Sequence, residues 1–186
     1  MSTTIIEEAP ILSVECKEPK QTVTRNVYKM LFTPENIKTF WEKSSQHRTL
    51  FADEIDGNFK RFLEMFATMD DDGNIHGRGI AYVVDDFTGV FYMTNINRTE
   101  ALVHFTFFDG RLKGREELTK EMLKYAFNHF GFLRLNAEVA LFAKEFTFNF
   151  VERVGFIKEG RKRKAIMYKG ELFDVALYGL LREEII

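Results

Sequence analysis

The stretch Ala101–Arg115, ALVHFTFFDGRLKGR, constrains the fold more than any other part of the chain. Val103, Phe105 and Phe107 alternate with Leu102, His104, Thr106 and Phe108. Both sets are mostly apolar, which predicts a central strand covered on both sides. The strand runs into Asp109-Gly110-Arg111-Leu112-Lys113-Gly114-Arg115, where a helical pattern begins. Backbone N–H groups of a glycine-containing turn and of a helix start converge there and attract anions. Arg111, Lys113 and Arg115 add positive charge around the same point.

The rest of the chain gives this strand its setting. A short strand is expected at Ile11–Cys16. From Gln21 to Phe32, Val23, Val27, Met30 and Leu31 recur at helical spacing. Thr33-Pro34-Glu35 is a helix start, with a hydroxyl N-cap, a proline in the first turn and a carboxylate at the positive helix end. It predicts a helix over Pro34–Ser45, and a second is expected near Glu54–Met69. Asp70-Asp71-Asp72-Gly73-Asn74 lacks the second half of a calcium loop with its bidentate Glu, so it reads as a hairpin turn. Three apolar runs, Gly77–Val84, Thr88–Ile96 and Ala101–Phe108, then form an antiparallel meander. A helix at Arg115–Phe130, a strand at Leu133–Leu141 and a helix at Ala143–Val154 follow. Strands Phe156–Met167 and Phe173–Leu181 close the chain around Lys169-Gly170. This order predicts an α+β fold, a mixed, mostly antiparallel central sheet flanked by helices, as one domain over 1–186 with 1–20 as an extension or first strand.

Composition excludes several classes. The formal net charge of −2 gives no global pull toward nucleic acid. No run of about twenty apolar residues suggests a membrane helix. One cysteine, Cys16, allows no internal disulfide, which points to a reducing, cytoplasmic setting. The amino-terminal residues lack a secretory pattern. No spacing of His, Cys and carboxylates suits a metal, and His47, His76 and His129 have no partner motif. The 20 phenylalanines belong chiefly in a core, and an exposed share would make a partner surface.

Arg111-x-x-Gly114-x-Glu116 resembles the Gln/Arg-x-x-Gly-x-Gly/Ala signature of the GNAT superfamily of acetyl-CoA-dependent N-acetyltransferases. Val154-Gly155-Phe156, followed by Glu159-Gly160-Arg161, is similar to that superfamily's turn from the last helix into the sheet. Phe173–Leu181 and Tyr125-Ala126-Phe127 resemble the branch that acetylates ribosomal-protein N-termini. The resemblance covers about residues 75–184 by motif. It implies main-chain contacts from Phe107 and Phe108 to the pantetheine arm of acetyl-CoA. It also implies a pyrophosphate cradle at Arg111, Lys113, Gly114, Arg115 and the amide of Glu116. The strand Asn136–Val139 would splay from Ala101–Phe108 and admit the thioester.

The sequence departs from the family pattern at three places. Glu116, followed by Glu117, stands where the family has a small residue. A carboxylate there satisfies the helix end itself, worth about 0.3–1 kcal/mol, and sets negative charge beside the diphosphate. Lys144 falls on the family's asparagine, and Val151 on its tyrosine acid. His104 and Glu138 are the candidate bases, and Thr147 is the candidate donor to a thiolate or oxyanion. Two readings follow. One is an N-acetyltransferase acting on a primary amine of a protein N-terminus or small molecule; the other is a catalytically inactive GNAT-fold module for binding or assembly. The run Arg161-Lys162-Arg163-Lys164 is the densest positive patch. It would attract an acidic acceptor, a phosphate or nucleic acid, or else form a solvated hairpin.

Overall fold

The structure, a computed structural model, describes residues 9–18, 21–47, 52–53, 55–110 and 112–185. Strands β1 (Leu12–Glu18) and β2 (Gln21–Lys29) form a hairpin, followed by helices α1 (Pro34–Ser45) and α2 (Phe59–Phe66). A small hairpin, β3 (Ala67–Met69) and β4 (Ile75–Gly77), turns at the acidic cluster. There the Asp70 carboxylate accepts from the N–H groups of Asp72 and Asn74. Strands β5 (Ile80–Val84), β6 (Gly89–Thr94) and β7 (Glu100–Phe107) meander into helix α3 (Arg115–Phe130). Strand β8 (Arg134–Ala140), helix α4 (Glu145–Arg153) and the hairpin β9 (Ile157–Tyr168) and β10 (Glu171–Leu181) complete the order. Eight strands build one sheet, β1-β2-β5-β6-β7-β8-β10-β9. Among the described residues its single parallel pair is β7–β8.

Two sequence expectations change. Gln21–Lys29 is a strand rather than the start of a helical segment. The apolar spacing of Val23 and Val27 fits either period, but Thr22, Val23, Thr24 and Val27 are β-branched and favour a pleated surface. Tertiary pairing settles the choice, with β1 on one side and β5 on the other. The second helix is also shorter than Glu54–Met69. The chain turns through Gly57, at φ 72, and the helix starts where Asn58 accepts from Arg61 N–H. Thr33 caps α1 in the same way, from Asn36 N–H, as its sequence predicts.

The sheet separates two apolar layers. Leu118, Met122, Leu123, Ala126 and Phe127 of α3, with Phe150 and Val151 of α4, pack on Val103, Leu135, Ala137 and Val139. On the opposite face, Ile37 and Phe40 of α1 and Phe62 of α2 pack on Ala81, Val83 and Val90. Phe62 is fully buried, edge-on to Phe40 at 5.3 Å and tilted over Trp41 at 5.1 Å. Most of the phenylalanines thus serve the two cores. Among the described residues only Phe59 and Phe146 are exposed. No helix among the described residues is long and apolar enough to cross a membrane.

Because Phe62 joins both helices to the sheet, Phe62→Ala is expected to cost about 3–5 kcal/mol. Urea denaturation measures this as a lower midpoint at unchanged slope. A loss below about 1 kcal/mol would contradict the packing described.

Candidate active site

The parallel pairing of β7 with β8 covers three positions, Glu100↔Arg134, Ala101↔Leu135 and Leu102↔Asn136. Beyond them each strand keeps its outer neighbour: β7 pairs with β6 as far as Phe107, and β8 with β10 as far as Ala140. Val103–Phe107 and Ala137–Ala140 therefore diverge as two arms of a V. The inner edges of both arms carry backbone groups without a ladder partner, which polar groups of a ligand can satisfy. Phe108 N–H is already donated to Thr88 O, at 2.9 Å, so only its carbonyl is left for such a contact.

The start of α3 lies just past the end of β7. Its N-cap is Gly114, at φ 72, and no side chain caps it. The positive φ favours glycine, and a Cβ here would also overlap Cys16 of β1. The Cys16 thiol, fully buried, donates to Gly114 O at 3.4 Å. The turn is thus pressed onto β1 while the first helical amides stay unpaired within the helix. Arg115 lies over the ring of Phe150, 5.9 Å from its centre, and Lys113 is exposed. Arg111 lies outside the described residues.

Glu116 does not cap its own helix. Its Oε1 accepts from Arg153 Nε at 2.7 Å, joining the first turn of α3 to the last turn of α4. Glu116 and Glu117 both stand in the first turn of α3, where carboxylates favour the positive helix end as the sequence predicts. The N-cap itself carries no side-chain bond, and the Arg153 guanidinium offsets the Glu116 charge beside it.

Helix α4 begins at Glu145, so Lys144 is its N-cap rather than an interior residue, exposed and making no capping bond. Thr147, half-buried, sits in the first turn, its N–H donating to Lys144 O at 2.8 Å. Val151 is buried in the core, so no proton donor stands at that position of α4.

His104 and Glu138 occupy the two arms of the V but have different surroundings. The His104 ring stacks on Tyr92 at 4.3 Å, and its Nε2 shares a hydrogen bond with Thr94 Oγ1 at 3.1 Å. Burial pulls its pKa from 6.5 down to about 4, so the imidazole is neutral near pH 7. Burial also pushes the Tyr92 phenol upward, which keeps it protonated. Glu138 is exposed and accepts from Lys162 of β9.

A polar network pins the closed end of the V, a feature that no sequence motif announced. Arg134 pairs with Glu159 and donates to Asn136 Oδ1 at 2.7 Å. Asn136 in turn donates to Glu100 Oε2 at 2.9 Å, tying β8 to β7. The bond to Arg134 holds the Glu159 carboxyl below its ordinary range. An apolar cleft of about 510 Å³ lies between α1 and α2, but no residue of β7 or β8 lines it.

A strand pair that parts beside an open helix start, with two helices packed on each face, defines an acyl-transfer fold. The family model of the acetyltransferase (GNAT) domain matches residues 28–177. The chain belongs to the GNAT family. Its fold is similar to spermidine N-acetyltransferase from Vibrio cholerae, solved in complex with CoA and spermine (TM-score 0.64, 14% identity, 87% of this chain and 97% of that chain). It is also similar to the ribosomal-protein-S5-alanine acetyltransferase from Vibrio fischeri (TM-score 0.61, 15% identity, 94% and 99% of the two chains). A GNAT-family acetyltransferase from Bacillus anthracis aligns with TM-score 0.63 at 14% identity, over 93% and 100%. No protein of curated function matches the sequence.

The His104 environment gives a pH test. Its folded pKa lies below the unfolded value, so the unfolded chain takes up the proton first as pH falls. The His104 contribution to stability is expected to fall from pH 6.5 toward about 4 and to be gone below that, where carboxylates with lowered pKa values such as Asp70 take over the loss. Melting curves across that window should fall less steeply for His104→Gln. An equal slope in both proteins would mean that His104 is not held neutral.

Proposed function

We propose that the protein is an N-acetyltransferase that uses acetyl-CoA and acetylates a primary amine, on a protein N-terminus or a small molecule. The observation that carries this reading is the V between β7 and β8, opening beside the uncapped start of α3. The residues fit the cofactor. Unpaired backbone along Val103–Phe107 and the Phe108 carbonyl suit the amides of a pantetheine arm. The amides at Arg115 and Glu116, with Lys113 and Arg115, suit a diphosphate. A bare carboxylate 4 Å from a phosphate costs about 1 kcal/mol in bulk water, and the Arg153 pair at Glu116 offsets that repulsion. Lys144 brings positive charge to the start of α4. Acetyl-CoA supplies the acyl group as an activated thioester.

This chain's own residues then manage protons and charge. The acceptor amine must be neutral to attack, and the nitrogen turns strongly acidic as its new bond forms. A weak base is therefore sufficient for that second proton. His104 meets the need, neutral and held by Thr94. Glu138, paired with Lys162, is the weaker candidate. Thr147 is the hydroxyl assigned to the leaving thiolate or the oxyanion. A cytoplasmic setting, with acetyl-CoA at hand and Cys16 reduced, belongs to the same proposal. The rival reading, a non-catalytic binding module of this fold, draws on the buried Val151, which leaves α4 without a phenol.

Acetyl-CoA is expected to raise the melting temperature in a dose-dependent way. At a concentration 100 times Kd the stabilisation is about 2.7 kcal/mol, or roughly 5–10 °C for a chain of this size. No shift at millimolar acetyl-CoA would remove the proposal.

A further inference from the structure

The sheet has two edge strands, β1 and β9, and they are built differently. Strand β9 carries Lys158, Arg161, Lys162, Arg163 and Lys164, shifts register twice against β10 and turns through Lys164 at φ 47. Clustered charge and bulges keep an edge from pairing with another chain, which gives the basic run a role in the fold. Strand β1 has neither device. It pairs with β2 at seven successive positions without a shift, and its charges, Glu15, Lys17 and Glu18, are of mixed sign. Among the described residues no strand covers its outer side.

The ladder fixes which backbone groups of β1 point outward. Asn26 O accepts from Asp85 N–H at 2.8 Å, and Met30 N–H, just past β2, donates to Ala81 O at 2.9 Å. Even-numbered residues along β2 therefore bond to β5, and odd-numbered ones to β1, since successive residues turn to opposite sides. Val23 and Arg25 stand opposite Cys16 and Val14, so those two bond inward. Ser13, Glu15 and Lys17 send their N–H and C=O groups outward. Helix α3 borders the same edge: Glu117, Lys120, Glu121 and Lys124 line an open groove of about 380 Å³ beside residues 12–15. Along the helix their charges run acid, base, acid, base. A two-fold axis reverses that order, so Glu117 meets Lys124 and Lys120 meets Glu121 of a second copy. Such self-complementarity is what an isologous interface requires. Lys124 already pairs with Glu121 at 3.0 Å within one copy, and a second copy extends that pair into a network.

We infer that two copies of the chain join edge to edge, β1 against β1 in antiparallel order with α3 beside α3, into one continuous sheet. With the two-fold axis at Val14, Ser13 of each copy exchanges N–H···O bonds with Glu15 of the other, and no like charges stand opposite along β1. Strands β2, β5 and β6 separate this edge from the V, and the pairing does not depend on acetyl transfer.

Sedimentation velocity of the full chain at micromolar concentrations should show a dimer. Glu15→Pro removes an outward N–H and no bond to β2, a change that an edge strand tolerates. It should raise the dimer dissociation constant by about tenfold or more, because it deletes hydrogen bonds at the centre of the seam. Charge reversal on α3 separates a second copy from any other strand-shaped partner. K120E/K124E makes the row on α3 wholly acidic, and E117K/E121K makes it wholly basic. Each variant alone should be monomeric through like-charge contact, and an equal mixture of the two should recover the dimer. Hydrogen exchange should show the Ser13 and Glu15 amides gaining protection as the protein concentration rises. Melting curves check that each variant is folded, and if Glu15→Pro is not, the charge exchange decides alone. A monomer at every concentration, or a dimer that survives both charge reversals, would overturn the inference. Concentration-dependent protection along β9 instead of β1 would overturn it as well.

Discussion

The early end of the β7–β8 pairing is the constraint on which the rest of the site depends. Three paired positions join the strands, and beyond them each strand follows its antiparallel neighbour. A sheet with a full parallel ladder here would have no room between the arms and no unpaired backbone to offer. The closed end is fixed by Arg134, Asn136, Glu100 and Glu159 acting across three strands. Gly179 of β10 makes this possible, because a Cβ there would overlap both the Arg134 guanidinium and the Glu159 carboxylate. Exposed ion pairs of this kind contribute little stability one by one. Their effect here is geometric, holding the strands at a common point so that they part at a fixed place.

Capping divides the four helices by role. Helices α1 and α2 have side-chain caps, Thr33 and Asn58, and belong to the apolar layer that closes one face. Helices α3 and α4 start on Gly114 and Lys144 with no side-chain cap, and both begin near the open ends of the V. Leaving helix amides unpaired costs stability, about 1 kcal/mol for a missing cap. A phosphate or carbonyl of a ligand can return that energy on binding. Arg153 pairs with the Glu116 carboxylate of the first turn of α3 at 2.7 Å.

How much of this was legible in the sequence varied with the range of the interaction. Helix α1 was readable because Thr33, Pro34 and Glu35 act within one turn. The α3 boundaries were equally local, set by Gly114 and by Gly131, which adopts φ 75. The strand–turn–helix at 101–115 carried the family resemblance, which the family model bears out. Strand β2 was not readable from Val23 and Val27, since its identity comes from pairing with β1 and β5. The fate of Glu116 was hidden for the same reason: its partner Arg153 stands 37 residues away. Likewise, the low pKa of His104 arises from burial beside Tyr92, a residue of another strand.

A diphosphate held by the first amides of α3, despite Glu116 and Glu117, is the contact on which the proposed function turns. Backbone amide NMR tests it most directly, by following Arg115, Glu116 and Glu117 as CoA is added. Large, saturable shifts are expected at these three amides, with smaller ones along Val103–Phe107 and little change in α1. Saturable binding that leaves Arg115–Glu117 unmoved, or no binding at all, would contradict it.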